Sequence, residues 1–211
     1  MMREYITIRE PAETEIVIKK SRFIGRLLRA ETPEEGIAAL EAVKKRHWNA
    51  THNCSAMIIG ENREFMRCSD DGEPQGTAGV PMLEALKMSG LTNVLAVVTR
   101  YFGGTLLGAG GLVRAYSASV AETLKAAEKI RRAPYAVYAM EVPFKLWGKI
   151  ESQVLGAGCL PKGMEYLSCV AAEFYVGMGK EERFCDLIRE LSSGTVVPRK
   201  TGEEYVESPT E

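Results

Sequence analysis

Hydrophobic and polar positions change rhythm several times along this 211-residue chain, and each change marks an element. Near the start, alternation and short apolar runs predict strands at Tyr5–Ile8, Glu15–Lys19 and Phe23–Leu28. Pro33, followed by apolar spacing from Gly36 to Val43, predicts a helix over about 33–47. Ser55–Ile59 and Glu64–Cys68 read as a hairpin turned by Gly60-Glu-Asn-Arg63. The polar stretch Ser69-Asp-Asp-Gly-Glu-Pro-Gln-Gly76 is turn chemistry throughout, and a helix at about 78–89 follows it, stopped by Gly90. Val94–Thr99 reads as a buried strand. A helical period through Leu112, Val113, Tyr116, Val120 and Leu124 predicts a long helix over about 109–129.

Arg131-Arg-Ala-Pro134 interrupts that period and sets a domain boundary, giving domains 1–132 and 133–211. Beyond it lie a strand at Tyr135–Val142, a helix at Lys145–Leu155 ended by Gly156, and strands at Met164–Cys169 and Val170–Val176. A helix at Glu181–Leu191 and a strand from Thr195–Pro198 onward complete the set. The order strand-helix-strand-strand-helix-strand is that of a ferredoxin-like βαββαβ domain. The acidic tail Glu203–Glu211 is expected to fray.

Between the strand ending near Thr99 and the long helix lie five glycines: Gly103, Gly104, Gly108, Gly110 and Gly111. Glycine at this density marks positive φ or close approach by another backbone or a ligand. The last pair opens a helix, where free N–H groups favour an anion. Two familiar phosphate motifs are absent. After the G-x-x-x-x-G that begins at Gly103, a triphosphate loop needs Lys and Ser/Thr, and the chain has Ala109 and Gly110. The dinucleotide pattern from Gly108 needs glycine where Val113 stands. Flanking Arg100 and Arg114 favour an anion or nucleic-acid contact. Tyr101 and Phe102 are suited either to stacking on bases or to the core.

Composition narrows the classes. Apolar residues make up 45% and charged residues 26%, ordinary for a soluble globular protein, and no apolar run approaches a membrane span. The opening Met-Met-Arg-Glu-Tyr-Ile has neither the apolar core nor the cleavage site of a secretory signal. Five cysteines without C-x-x-C spacing argue against a zinc site and a disulfide framework, which predicts a cytoplasmic protein with no metal or cofactor. The net charge of −1 hides an asymmetry: residues 1–132 hold 19 Lys/Arg against 16 Asp/Glu, and residues 133–211 hold 8 against 12. That is too small a bias to announce a nucleic-acid protein, although a local basic face remains open.

Three further groups carry possible chemistry. His52 and Cys54, flanking Asn53, would share one side of a strand, as a nucleophile and base would require; a core cysteine beside a hydrogen-bonded histidine fits equally. Asp70, Asp71 and Glu73 lack the spacing of a calcium loop. They suit turn caps, or partners for Arg100 or Arg114 that hold the glycine loop in place. A basic-aromatic set comprises Lys20, Arg22, Phe23 and Arg26, then Lys44-Lys-Arg-His-Trp48. Arg22 and Arg26 share one strand face and could meet phosphate, with Trp48 as a stacking platform; the run Lys44–Arg46 also suits a helix C-terminus.

Ser69-Asp-Asp-Gly-Glu-Pro-Gln-Gly-Thr-Ala-Gly79 and Thr99-Arg-Tyr-Phe-Gly-Gly-Thr-Leu-Leu-Gly-Ala-Gly-Gly-Leu-Val-Arg-Ala-Tyr116 resemble the two signatures of the IMPACT/YigZ family. Ser21-Arg-Phe-Ile24 and Ala50-Thr-His-Asn-Cys54 match its other recurring pieces, so the likeness runs through the first domain in order. The resemblance implies an α+β chain: a first domain with the two-layer α/β sandwich of ribosomal protein S5 domain 2, and a ferredoxin-like second domain. The pair is similar to domains IV and V of elongation factor G. It implies a non-enzymatic regulator associated with translation, in line with eukaryotic relatives that regulate initiation under amino-acid starvation by protein–protein competition. Its partner would be the ribosome, RNA or a translation-related protein, and no membrane. The leading expectation is phosphate contact by Arg22, Arg26, Arg100 and Arg114 around Tyr101 and the loop glycines. A protein-interaction regulator without RNA contact is the alternative, and a hydrolase using His52 and Cys54 the third. Two positions depart from the family pattern: Val80 stands where a basic residue often follows Thr-Ala-Gly, and Ser55 where an aromatic commonly follows the cysteine.

Overall fold

The computed structural model describes residues 2–210 and shows a two-domain α+β fold. One compact unit ends at Arg132 and takes back the chain from Ser208; the other is Ala133–Glu207. In the first, β1 (Tyr5–Ile8), β2 (Ala12–Ile18) and β3 (Ser21–Arg29) lead to α1 (Pro33–Arg46). Then come β4 (His52–Ile59), β5 (Phe65–Ser69), α2 (Gly79–Ser89), β6 (Val94–Tyr101) and α3 (Ala109–Ala126). Helix α1 starts where Thr32 accepts the Glu35 N–H at 3.2 Å with Pro33 at the first position. It ends on Lys44, Lys45 and Arg46, whose charges suit the carbonyl end.

Five antiparallel strands form the sheet β2-β3-β6-β4-β5. Alternation then sorts the side chains. Phe23, Leu27, Cys54, Ala56, Ile58, Val94, Ala96 and Val98 face α2 and α3 and form the main core with Tyr116 and Val120. Met57, Ile59, Leu95 and Val97 point the other way and are covered by α1 through Val43 and Leu40. Sheet and paired helices make the sandwich, and α1 closes its second face.

Strand β7 (Lys129–Val142) pairs with β1 through its first four residues and with β9 (Val170–Gly177) from Tyr135. The second unit continues with α4 (Phe144–Gly156), β8 (Leu160–Tyr166), α5 (Glu181–Ser192) and β10 (Arg199–Pro209). Its strands lie in the order β10-β7-β9-β8, with α4 and α5 over a core that includes Trp147, Ile150, Phe174 and Ile188.

Two local expectations are corrected. The strand expected from Tyr135 begins at Lys129 and runs through Arg131–Pro134; Pro134 falls between the end of pairing with β1 at Arg132 and its start with β9 at Tyr135. The acidic stretch from Glu203 to Pro209 is also strand, held in part by Glu204, which accepts the Tyr175 hydroxyl at 2.9 Å and pairs with Lys162. Glu211 lies outside the described residues.

Candidate functional site

The glycine segment joins β6 to α3 at one end of the sheet, and its path is fixed by its neighbours. Tyr101 Oη lies 2.8 Å from His47 Nδ1, and the Phe102 N–H donates to Thr51 Oγ1 at 3.0 Å. The Thr51 N–H donates to the Arg100 carbonyl at 2.8 Å, so residues 47–51 are stitched to 100–102. Gly103 presses on the β2–β3 turn: a Cβ there would overlap the Lys20 carbonyl, and its N–H reaches Ser21 Oγ at 3.2 Å. Gly104 (φ +81°) and Gly108 (φ +73°) are left-handed. Gly110 faces open space, and Gly111 sits against Leu107.

Gly108 caps α3 without a side chain, and the first turn holds no acid. Its leading N–H groups therefore present partial positive charge. Arg114 is exposed, with Nε 3.2 Å from the Gly110 carbonyl.

Beneath the loop lies a buried polar network. Arg100 Nη1 donates to Glu73 Oε1 at 2.6 Å, Tyr116 Oη donates to the same oxygen at 2.7 Å, and His52 Nε2 lies 3.8 Å from Glu73 Oε2. The Arg100 guanidinium sits 5.4 Å from the Phe23 ring and 5.5 Å from Phe102, which offers its remaining surface two π faces. Asp71 takes the Asn53 N–H at 2.7 Å and Lys44 at 3.0 Å, while its carbonyl meets His52 Nδ1 at 2.8 Å. Asp70 receives the N–H groups of Gly76, Ala78 and Gly79 within 3.0 Å and so caps α2. Burial opposes its charge, yet those three donors together hold its carboxyl below the usual range.

Cys54 is fully buried and donates to the Asp70 carbonyl at 2.9 Å. Burial pushes its thiol up to about 12, and burial together with Cys54 raises the Tyr116 phenol as well. At neutral pH the Cys54 thiol is protonated and is not a thiolate nucleophile. His52 and Cys54 do share a strand face, but that face is core.

The expected arginines divide sharply. Arg100 is enclosed with Glu73. Arg26 is buried on the α1 face, bonded to Glu13 at 2.7 Å and Thr99 Oγ1 at 3.0 Å. Arg22 stays at the surface but is held bidentately by Glu15 at 2.9 and 2.8 Å, 5.5 Å from the Tyr101 ring. Of the four, Arg114 alone is exposed without a carboxylate partner among the described residues.

Lys19 was not among the expected contacts. It and Lys20 form the two-residue turn between Ile18 and Ser21, both at positive φ (+45° and +68°) and both exposed. The usual signal for such a turn is Asn-Gly, so Lys-Lys did not announce it.

Residues 19–124 match the family known as the Impact N-terminal domain. The chain is 46% identical to the IMPACT family member YvyE of Bacillus subtilis, over 92% of this chain and 89% of that protein. Over 98 residues it is 36% identical to Protein IMPACT-B of Xenopus tropicalis, 44% of this chain and 30% of that one. A crystal structure of a hypothetical protein superposes with a TM-score of 0.64 at 32% identity, over 95% of this chain and 98% of that one. The shared first-domain motifs, the fold and this identity over most of both chains make the chain a member of the IMPACT family.

Proposed function

We propose that this protein is a non-enzymatic regulator associated with translation, and that it contacts RNA of the translation machinery through the glycine-loop end of its first unit. Kinship with eukaryotic IMPACT proteins motivates the translation setting. The observation that carries the contact is a set of cations without carboxylate partners among the described residues: Lys19 and Lys20 at the turn against Gly103, and Arg114 on α3, whose start has no side-chain cap. Exposed cations and helix N–H groups bind phosphate oxygens without reading sequence. The phosphate-binding role first assigned to Arg100 and Arg26 passes to these residues, because a buried, paired guanidinium cannot reach a ligand.

The test is co-sedimentation with ribosomes across a salt series. Binding should weaken with salt, and the Lys19→Ala/Lys20→Ala/Arg114→Ala variant should lose affinity, its salt slope falling by about one per phosphate contact removed. Salt-independent binding, or none at low salt, would refute it.

A protein-only partner is the second reading. It rests on a groove of about 820 Å³ between α2 and α3, lined by Val80, Pro81, Ala85, Met88, Val113 and Ala121. It gains if partners depend on Met88 and Val80 while RNA binding is absent.

A further inference from the structure

We infer that the RNA taken at this end is single-stranded, and that Trp48 stacks on one of its unpaired bases; this rests on the RNA-contact reading above. Trp48 is 83% exposed, in the turn that follows α1. Leaving an indole in water forgoes burial of a large apolar surface, and a Trp so placed is suited to stacking against a partner. Its turn is held on both sides: the Ala50 N–H donates to the His47 carbonyl at 3.0 Å, and Asn49 Oδ1 accepts from Tyr101 Oη at 3.4 Å. Phe102, also exposed, is tied to the same segment through Thr51.

The next residue along, Gly103, touches the Lys20 backbone. The segments that carry Trp48, Phe102 and the Lys19–Lys20 turn therefore adjoin one another in that order, and the two lysines have no carboxylate partner among the described residues. Lys45 and Arg46, exposed and without carboxylate partners among the described residues, precede Trp48 on the other side. A ring face flanked by unpaired cations is complementary to a strand that offers bases and phosphates together. A duplex offers phosphates, sugars and base edges but no free base face, because its bases are already stacked on one another, so it would leave Trp48 idle.

Trp48 reports on itself. The chain holds two tryptophans, and Trp147 is 8% exposed in the core of the second unit. Full-length protein titrated with a 12-nucleotide oligouridylate should show quenched Trp emission, absent in Trp48→Phe. A duplex RNA of equal length should bind through charge without that quenching. By anisotropy of the labelled oligonucleotide, Trp48→Ala should bind about 5- to 150-fold more weakly, with Trp48→Phe keeping most of the affinity. At an exposed position neither change disturbs the fold, which circular dichroism verifies. Equal binding by Trp48→Ala and wild type, or equal quenching by the duplex, overturns the inference. If ribosomes still bind in a salt-sensitive way under that outcome, the broader reading stands and only the single-strand claim falls. If ribosomes and oligonucleotide both fail to bind, both fall.

Discussion

Arg100 and Glu73, 27 residues apart in the chain, meet at 2.6 Å beneath the glycine loop with 6% and 3% of their side chains exposed. A charge pair this enclosed is repaid for lost hydration only while both partners remain. Glu73 also accepts from Tyr116 and lies within 4 Å of His52, so one carboxylate ties β6, α3 and β4 together.

Glu73→Gln keeps the shape and removes the charge. It leaves the Arg100 cation uncompensated and should cost about 3–5 kcal/mol in urea unfolding. A loss under about 1 kcal/mol would mean the pair is hydrated rather than enclosed.

Cys54 gives a prediction at high pH. Its folded thiol is pushed up to about 12 from an ordinary 9.0 by burial, so the folded state holds its proton more tightly. The contribution is intact below about pH 9 and is lost as pH rises towards 12, amounting to about 4 kcal/mol at the limit. Unfolding free energy should fall above pH 9, and less steeply in Cys54→Ala. Alkylation of Cys54 at pH 7.5 should await unfolding; rapid modification of the native protein would reopen the nucleophile reading.

Most strands and helices were legible from a period of two or 3.6 or, as at Val94–Thr99, from a short apolar run, and the glycine segment stood out by composition. What failed was the environment of individual polar residues. Arg100 follows an apolar run and reads as its exposed end, yet it shares parity with Val94, Ala96 and Val98 and so points into the core. That parity could have been read; the arrival of Glu73 from a distant turn could not. Arg22 and Arg26 were correctly placed on one strand face, but nothing local says that Arg26 lies buried on the α1 face while Arg22 stays at the surface. The last strand was expected from Thr195–Pro198 onward, but its continuation through Glu203–Pro209 was not, because those acids look solvated, although Glu204 is anchored by Tyr175 and Lys162 on other strands.

Asp70 makes α2 sensitive to acid. Its carboxyl is held below the usual value near 3.8 by three backbone donors, so its contribution is present above that pH and lost as pH falls through the depressed folded value. Asp70→Ala should cost about 1–2 kcal/mol at pH 7 and flatten the acid limb of the stability curve. An unchanged acid limb would show that the cap does not depend on ionisation.

Two glycines of the loop should respond oppositely to alanine. At Gly103 a methyl group would strike the Lys20 backbone, and Gly103→Ala should cost about 1–3 kcal/mol. At Gly110, inside α3 and with no neighbour to strike, alanine should be neutral or stabilising by up to about 1 kcal/mol. Thermal melts of the two variants separate a packing glycine from one whose cost has no structural return.

Lys19 and Lys20 adopt left-handed backbone that suits Asn-Gly far better than Lys-Lys. A strained turn that keeps two cations at the glycine loop is the pattern expected if those charges are used. Lys19→Asn/Lys20→Gly should therefore raise unfolding free energy by about 1–2 kcal/mol, because it relieves two unfavourable φ values without touching the core. The same variant should bind ribosomes more weakly and with a shallower salt dependence, having lost two phosphate contacts. Opposite movement of stability and binding in one variant would assign the strain to function. A gain in stability with binding unchanged would leave the lysines as surface residues and shift the contact to Arg114 and the α3 start.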